Sequence, residues 1–458
     1  MRIKRHRYAF LLISAAATIS AGCAAFDWAA DSPDPFIRYS ISLEDAGLNI
    51  IRVSASVYGA ATGPVTFVRP SRDSTIDPIA LAARDLHGEP LAIRETDGGW
   101  RIENKRRDFT FSYDLVLTVE DRYTPEVGWM LTMLEEDRCR ILGKDIFLVP
   151  AGVVSSGVLV DVELFPDQAI RSAYGVNSRR MIIPAVKDIP AAMAVSGRYR
   201  YLELVIGSTE FRFAIAGGWK FGDEEFFDVI HRIVSCEMGM FDSSPHESFL
   251  FVCDRNPVKG NEGFDNYGLH IGRNIILLLD GKLDRSELYG PSMSIVAHEF
   301  FHNWNGEAIW PRTSDFLWFT EGATVYYSYQ VLLDANIITP SQYERQRNAI
   351  IQRYRDNAHL DSIPIVRAAN SDLGDKDLVN LLYDGGFLAA EALDRRIEQV
   401  SGGSVSLIDV LNWMHENARD GADVSVLAEA VSHTTGYDLS DFLGEMILDP
   451  APDVLAHN

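Results

Sequence analysis

The 458-residue sequence predicts a multidomain chain, an N-terminal all-β sandwich-like domain followed by an α/β lobe that runs into a helical lobe. Three observations predict it. The chain is too long for one ordinary hydrophobic core. From residue 37 to about 165, apolar and polar residues alternate with period two, between clusters of Gly, Pro and Asp. Beyond about 166 the pattern changes to short apolar runs interleaved with helical ones, and after Pro291 nearly everything reads as helix.

The elements follow in order. Residues 1–23 read as a signal peptide, with a basic head from Arg2 to Arg7 and an apolar run from Tyr8 to Ile19 that is too short for a permanent membrane span. It ends in Ser20-Ala21-Gly22-Cys23, which resembles a bacterial lipobox in which Cys23 takes a lipid, although Ser20 stands where an aliphatic residue is usual. The expectation is an exported bacterial protein, periplasm-facing or an outer-membrane lipoprotein, with the membrane met only through that N-terminal lipid. Residues 24–35, with "DSPDPF", read as a linker. The N-terminal β domain is placed at 36–165, on "IRYSISL", "NIIRVSASVYG", "GWRIEN" and "DFTFSYDLVLTVE". The second domain is placed at 166–458, its α/β lobe at about 166–305 and its helical lobe at about 306–458. In it "YLELVIGSTEFRFAIAGG" predicts a hairpin, "GDEEFFDVIHRIVSCEMGMF" an amphipathic helix, and "ESFLFVCD" and "NIILLLDG" buried strands. Thr339, Pro340 and Gln342 compose a helix start with a capping box. Further helical patterns cover 376–400, 406–418, 423–433 and 438–447.

The charge narrows the partners. Acidic residues outnumber basic ones 65 to 42, a formal charge of −23, so neither a nucleic-acid backbone nor an anionic membrane surface is an expected partner of the folded part. Beyond Cys23 there remain Cys139, Cys236 and Cys253, which allow at most one intramolecular disulfide and show no zinc-site spacing.

The segment 294–327, "SIVAHEFFHNWNGEAIWPRTSDFLWFTEGATVYY", sets ionisable residues inside a stretch that otherwise reads as buried helix. At 3.6 residues per turn His298 and His302 lie about 40° apart on one helix face, and Glu299 about 60° from His302. This HExxH arrangement offers two ligands to one zinc ion, with a carboxylate beside it able to take a proton from water. Pro291 and Ser292 start that helix and Gly306 can end it. Eighteen residues after His302, Glu321 supplies a third ligand and leaves a position open for water.

The HExxH-x18-E pattern resembles the gluzincin zinc metallopeptidases; Trp304 and Gly306 match the alanyl-type aminopeptidase variant HExxHxWxG. The Trp304-Asn305 pair and "WFTEGATVYY" look most like the glycyl aminopeptidase family, and "LLYDGGFLAAEALDRRIEQVSGGSVSLIDVLNWM" and "TTGYDLSDFLGEMI" are similar to that family's later helices. The resemblance covers roughly 36–448 and implies a thermolysin-like α/β plus α-helical metallopeptidase domain with one Zn2+ per chain. It implies hydrolysis of peptide or protein substrates, with Glu299 as base for a water and Tyr383 donating to the developing oxyanion. Two departures stand out. Where the family carries Gly-Gly-Leu-Glu-His, this chain has "DNYGLHIGRN", keeping Gly268, Leu269 and His270 without the glutamate suited to a free amino terminus. Asp265, and after it Glu262, are the nearby acids that could stand in, and His270 reads as structural or peptide-contacting. The C-terminal PDZ domain of many relatives is not seen before Asn458. The leading expectation is an aminopeptidase for short peptides with small N-terminal residues. A zinc endopeptidase or a peptidase of altered terminus preference is the alternative; a catalytically weak surface lipoprotein that binds peptides is the alternative of another class.

Overall fold

The computed structural model describes residues 36–449, apart from 46–48, 61, 71–76, 105–107, 118–131, 154–156, 165–168, 178, 257–265 and 371–374. The leader, Cys23, the linker, Glu262 and Asp265 lie outside the described residues.

The period-two segments form the expected strands. Ile50–Tyr58 puts Ile51, Val53, Ala55 and Val57 inside and their neighbours toward solvent. It sits in a seven-stranded sheet between Phe36–Asp45 and Phe109–Val116. A four-stranded sheet faces it, and Phe67 of the second packs on Phe111 of the first with ring centroids 4.9 Å apart. The hydroxyls of Tyr39 and Tyr113 donate to the Leu148 and Ile146 carbonyls at 2.7 and 2.8 Å, so both of these buried hydroxyls are satisfied.

The β domain does not close at 165. Val158–Glu163 lies parallel to the first strand, the hairpin Gly175–Asn177 and Arg180–Ile183 extends the same sheet, and Met193–Gly197 pairs with Arg138–Leu142. The domain therefore runs on to Gly197 because strands after 165 complete its sheets. No local pattern marks that; it follows from pairing.

The second lobe opens with the expected hairpin, Arg200–Ile206 and Thr209–Ile215, at one side of a five-stranded sheet. Ser248–Arg255 and Asn274–Leu279 follow in parallel, and Tyr267–Ile271 closes the far edge antiparallel to Asn274–Leu279. Both faces are covered, as the unbroken apolar strands require. Leu250, Val252, Leu269, Ile276 and Leu278 pack into the N-terminal core. Phe249, Phe251, Ile275 and Leu277 pack under the helices. A buried ion pair joins the two halves: Arg140 donates to Asp254 at 2.7 Å, the side chains 1% and 4% exposed.

The helical part forms as expected, with Asp223–Met240 in the crossover and Pro340–Arg355 starting on the Thr339 capping box. Two helices of this part, Leu317–Asp334 and Gly386–Ser401, touch backbone to backbone. A Cβ on Gly386 would lie 2.4 Å from the Trp318 carbonyl oxygen, and one on Gly322 2.2 Å from the Gly386 carbonyl carbon. The long pattern at 376–400 breaks into Lys376–Asn380, a π-helical turn Leu381–Gly385 and Gly386–Ser401. The three described cysteines, Cys139, Cys236 and Cys253, are free thiols. No described helix is long and apolar enough to cross a membrane.

Candidate active site

Two helices assemble the centre. Ser294–Phe301 follows a tight turn at Pro291–Met293 and is buried along its whole length; His298 lies in its last turn and His302 caps it. Glu321 stands one turn into Leu317–Asp334. His298 Nε2 and His302 Nε2 are 2.9 Å apart, and Glu321 Oε2 is 3.4 Å from the first and 3.5 Å from the second. Among the described residues this is the group of three ligating side chains that converges, one donor atom of each within 4.8 Å of the others.

The donor set fits a zinc ion. Both Glu321 oxygens are buried without a hydrogen-bond partner, and so is His298 Nδ1. Two imidazole nitrogens and a carboxylate oxygen facing one point is a closed set of protein ligands with room for a fourth from solution. His302 Nδ1 lies 2.9 Å from the Asn305 carbonyl, so Nδ1 carries the hydrogen and Nε2 is left with its lone pair for the ion.

Asn305 explains how the two ligand helices are held together. Its Nδ2 donates to the Phe319 and Thr320 carbonyls at 3.2 and 3.0 Å and to Thr324 Oγ1 at 3.1 Å, all on the Glu321 helix. The chain leaves helical geometry there, and Gly306 follows at φ +146°, which a side chain would strain. Trp304, by contrast, is wall: it stacks on Phe241 at 4.3 Å and donates from Nε1 to the Ser243 carbonyl.

Glu299 lies beside the cluster, outside it. The edge strand Tyr267–Ile271 turns Leu269 toward the N-terminal core and Gly268 and His270 toward the ligand helix. Glu299 fills the space Gly268 leaves: a Cβ there would sit 2.3 Å from Glu299 Cγ. Burial pushes the Glu299 carboxyl up to about 7, while the His302 charge and the His270 backbone amide pull the other way. As protein groups alone, burial and His302 depress His298, whereas at His302 burial is outweighed by Glu321 and its proton affinity rises. Glu321 is held below the carboxylate range against burial by those two imidazoles.

Tyr383 stands on the π-helical turn, its ring centroid 6.2 Å from that of His298. The next residue, Asp384, accepts two hydrogen bonds from Arg353, at 2.8 and 2.7 Å. Sequence reasoning passed over Arg353 and Asp384, and also His246, Asn303 and Glu307. Asn303 and Glu307 repeat from Glu299 at four-residue steps, which was the available signal. Glu307 meets His246 at 3.1 Å and His270 at 3.2 Å; burial opposes its charge, but those imidazoles hold its carboxyl well below the usual range.

With this geometry in view, residues 249–445 match the model of the Peptidase family M1 domain. That stretch is similar to an M1 peptidase domain. The M1 match spans the edge strand, both ligand helices and the Tyr383 segment. A curated relative named "Probable aminopeptidase 1", from Sulfurisphaera tokodaii, is 25% identical over 195 residues, 42% of this chain. The chain spans only 24% of that relative's length. The fold is similar to an aminopeptidase N family protein from Idiomarina loihiensis, with TM-score 0.75 and 17% identity over 90% of this chain and 76% of that one. It is also similar to an M1 zinc metallopeptidase from Deinococcus radiodurans, with TM-score 0.56 and 14% identity over 92% of this chain and 95% of that one. The two-domain fold of those M1 structures is thus in place, with His298, His302 and Glu321 converging as a set that can hold zinc.

Proposed function

We propose that this chain is a zinc-dependent peptidase, acting as an aminopeptidase on short peptides with small N-terminal residues. The observation that carries the reading is the His298–His302–Glu321 cluster with Glu299 buried beside it against Gly268. Zinc held by these three residues supplies Lewis acidity toward a water and a carbonyl. Glu299 takes the proton of the attacking water and returns it to the leaving amine. Tyr383 donates its phenolic hydrogen to the oxyanion that develops as the carbonyl is attacked. The aromatic wall of Phe300, Phe301 and Trp304, none of it exposed, keeps bulk water from the buried side of the centre.

The amino-terminal preference rests on fold likeness and on the relatives' names. A Deinococcus M1 variant with this fold was crystallised with Tyr-Ser-Ala. The glycyl-type preference for small residues rests on the sequence resemblance alone. Gly268 and His270 line the substrate side in this reading, whereas the Leu269 side chain, expected there too, packs into the N-terminal core because alternate residues of a strand face opposite ways; Asp265, the acid proposed for the free amine, lies outside the described residues. The edge strand itself carries no acid, and that observation favours an endopeptidase as the second reading. Export, with a lipid on Cys23 facing the periplasm or outer membrane, remains part of the proposal on sequence grounds. Digestion of a peptide library, with and without a chelator and read by mass spectrometry, is the test. Chelator-sensitive removal of single N-terminal residues is expected; internal cleavages would replace the aminopeptidase reading by the endopeptidase one, and no chelator-sensitive cleavage would end both.

A further inference from the structure

His270 is the one ring that the edge strand turns toward the ligand helix, and what surrounds it settles its tautomer. Its Nε2 lies 3.0 Å from Asn303 Oδ1 and 3.2 Å from Glu307 Oε2. Asn303 Nδ2 is already spent on the Phe300 carbonyl at 2.7 Å, so the atom facing His270 is the amide oxygen. Both neighbours of Nε2 are therefore acceptors, Nε2 carries the hydrogen, and in the neutral ring Nδ1 is a bare acceptor. Behind the ring sits a full carboxylate. Its two close contacts are both histidines, His246 on Oε1 at 3.1 Å and His270 on Oε2 at 3.2 Å.

The position matters as much as the polarity. The His270 ring centroid is 6.3 Å from that of the zinc ligand His302, and the ring keeps 11% of its surface exposed. An acceptor nitrogen backed by a carboxylate, one residue's width from the zinc site, suits a donor that carries positive charge. A peptide's free α-ammonium group is such a donor.

We propose that His270, oriented by Asn303 and backed by Glu307, receives the substrate's free amino terminus. It does so in place of a carboxylate on the edge strand. His270 is the contact; Glu307 and Asn303 are positioning residues that set its tautomer and supply the charge. The proposal rests on the peptidase reading for the location of the substrate, so its test is made by binding and does not need turnover.

The experiment uses full-length, zinc-loaded protein carrying Glu299→Gln, which removes the base and keeps the ligands. Calorimetry measures its binding of the tripeptide Ala-Ala-Ala and of N-acetyl-Ala-Ala-Ala. The free peptide should bind about tenfold or more tightly, the scale of one charge-assisted hydrogen bond. Adding Glu307→Gln should bring that ratio close to one by weakening the free peptide, with the acetylated peptide and the zinc content unchanged. His270→Phe, which keeps a ring without an acceptor, should do the same. A ratio near one before Glu307→Gln is added, or an equal loss for both peptides after it, would overturn the proposal. Tighter binding of the acetylated peptide would show His270 as a charged donor and overturn it too. Failure of the peptidase reading shows separately, as absence of chelator-sensitive cleavage by the wild-type chain.

Discussion

At the scale of residues, the proposed chemistry divides the centre into groups that hold the ion and groups that move protons, and the division is testable by substitution. His302 is oriented by the Asn305 carbonyl and offers Nε2, so His302→Ala leaves one imidazole and one carboxylate. That variant should lose most of its zinc by elemental analysis, since two ligands hold the ion poorly. Glu299 makes no part of the three-ligand set. Glu299→Gln should therefore keep about one zinc per chain and the wild-type unfolding transition, yet lose several orders of magnitude in turnover. Full zinc in the first variant, or near-normal rates in the second, would contradict this division of roles. His298, Glu299, His302 and Glu321 were all legible in the sequence, because a four-residue step and the x18 spacing are properties of the chain itself. Glu307 was not: its meaning depends on His246 and His270, which approach it across 61 and 37 positions of sequence.

Among the elements, the π-helical turn Leu381–Gly385 is the one whose geometry bears most directly on chemistry. Such a turn interrupts the helical register and commonly does so at functional sites. In this chain it presents Tyr383 while Asp384, 4% exposed, is clamped by Arg353 from the Pro340–Arg355 helix. Gly386 continues directly into backbone contact with Gly322 of the Glu321 helix, so the tyrosine and the third ligand are tied through adjacent residues. If the clamp acts through the tyrosine, Arg353→Met should lower kcat about tenfold with little change in KM, the signature of an interaction needed in the transition state. Tyr383→Phe alone should likewise reduce kcat more than KM. Made in the Tyr383→Phe background, Arg353→Met should have almost no further effect on kcat; additive losses would mean the ion pair serves the fold only.

For the whole molecule, the five-stranded sheet is the shared wall between the β domain and the helical part, with one face in each core. The Arg140–Asp254 pair ties the β domain to that wall where both partners are buried. Removing one charge strands the other in a medium that solvates it poorly, a cost of about 3–5 kcal/mol. Asp254→Asn should accordingly lower stability by that order in denaturant titrations followed by tryptophan fluorescence. Arg140→Met combined with Asp254→Leu should recover much of the loss, since a buried pair is often replaceable by apolar groups of similar volume. A double variant as unstable as the single one would show that the pair specifies the junction between the halves and not only its charge balance.

The sequence by itself determined the class and order of the elements and the zinc ligands, and it placed Glu299 beside them. Those follow from periods of 2 and 3.6 and from short spacings, which act within one strand or helix. Tertiary structure alone decided the rest. The first strand, Phe36–Asp45, pairs in parallel with Val158–Glu163, some 120 positions later, and that pairing carries the β domain past residue 165. Arg353 meets Asp384, and Glu307 meets His270, through packing of separate elements. Periodicity says which face of an element is apolar; it carries no record of which other element covers that face, because the pairing is settled by side-chain fit between segments far apart in the chain.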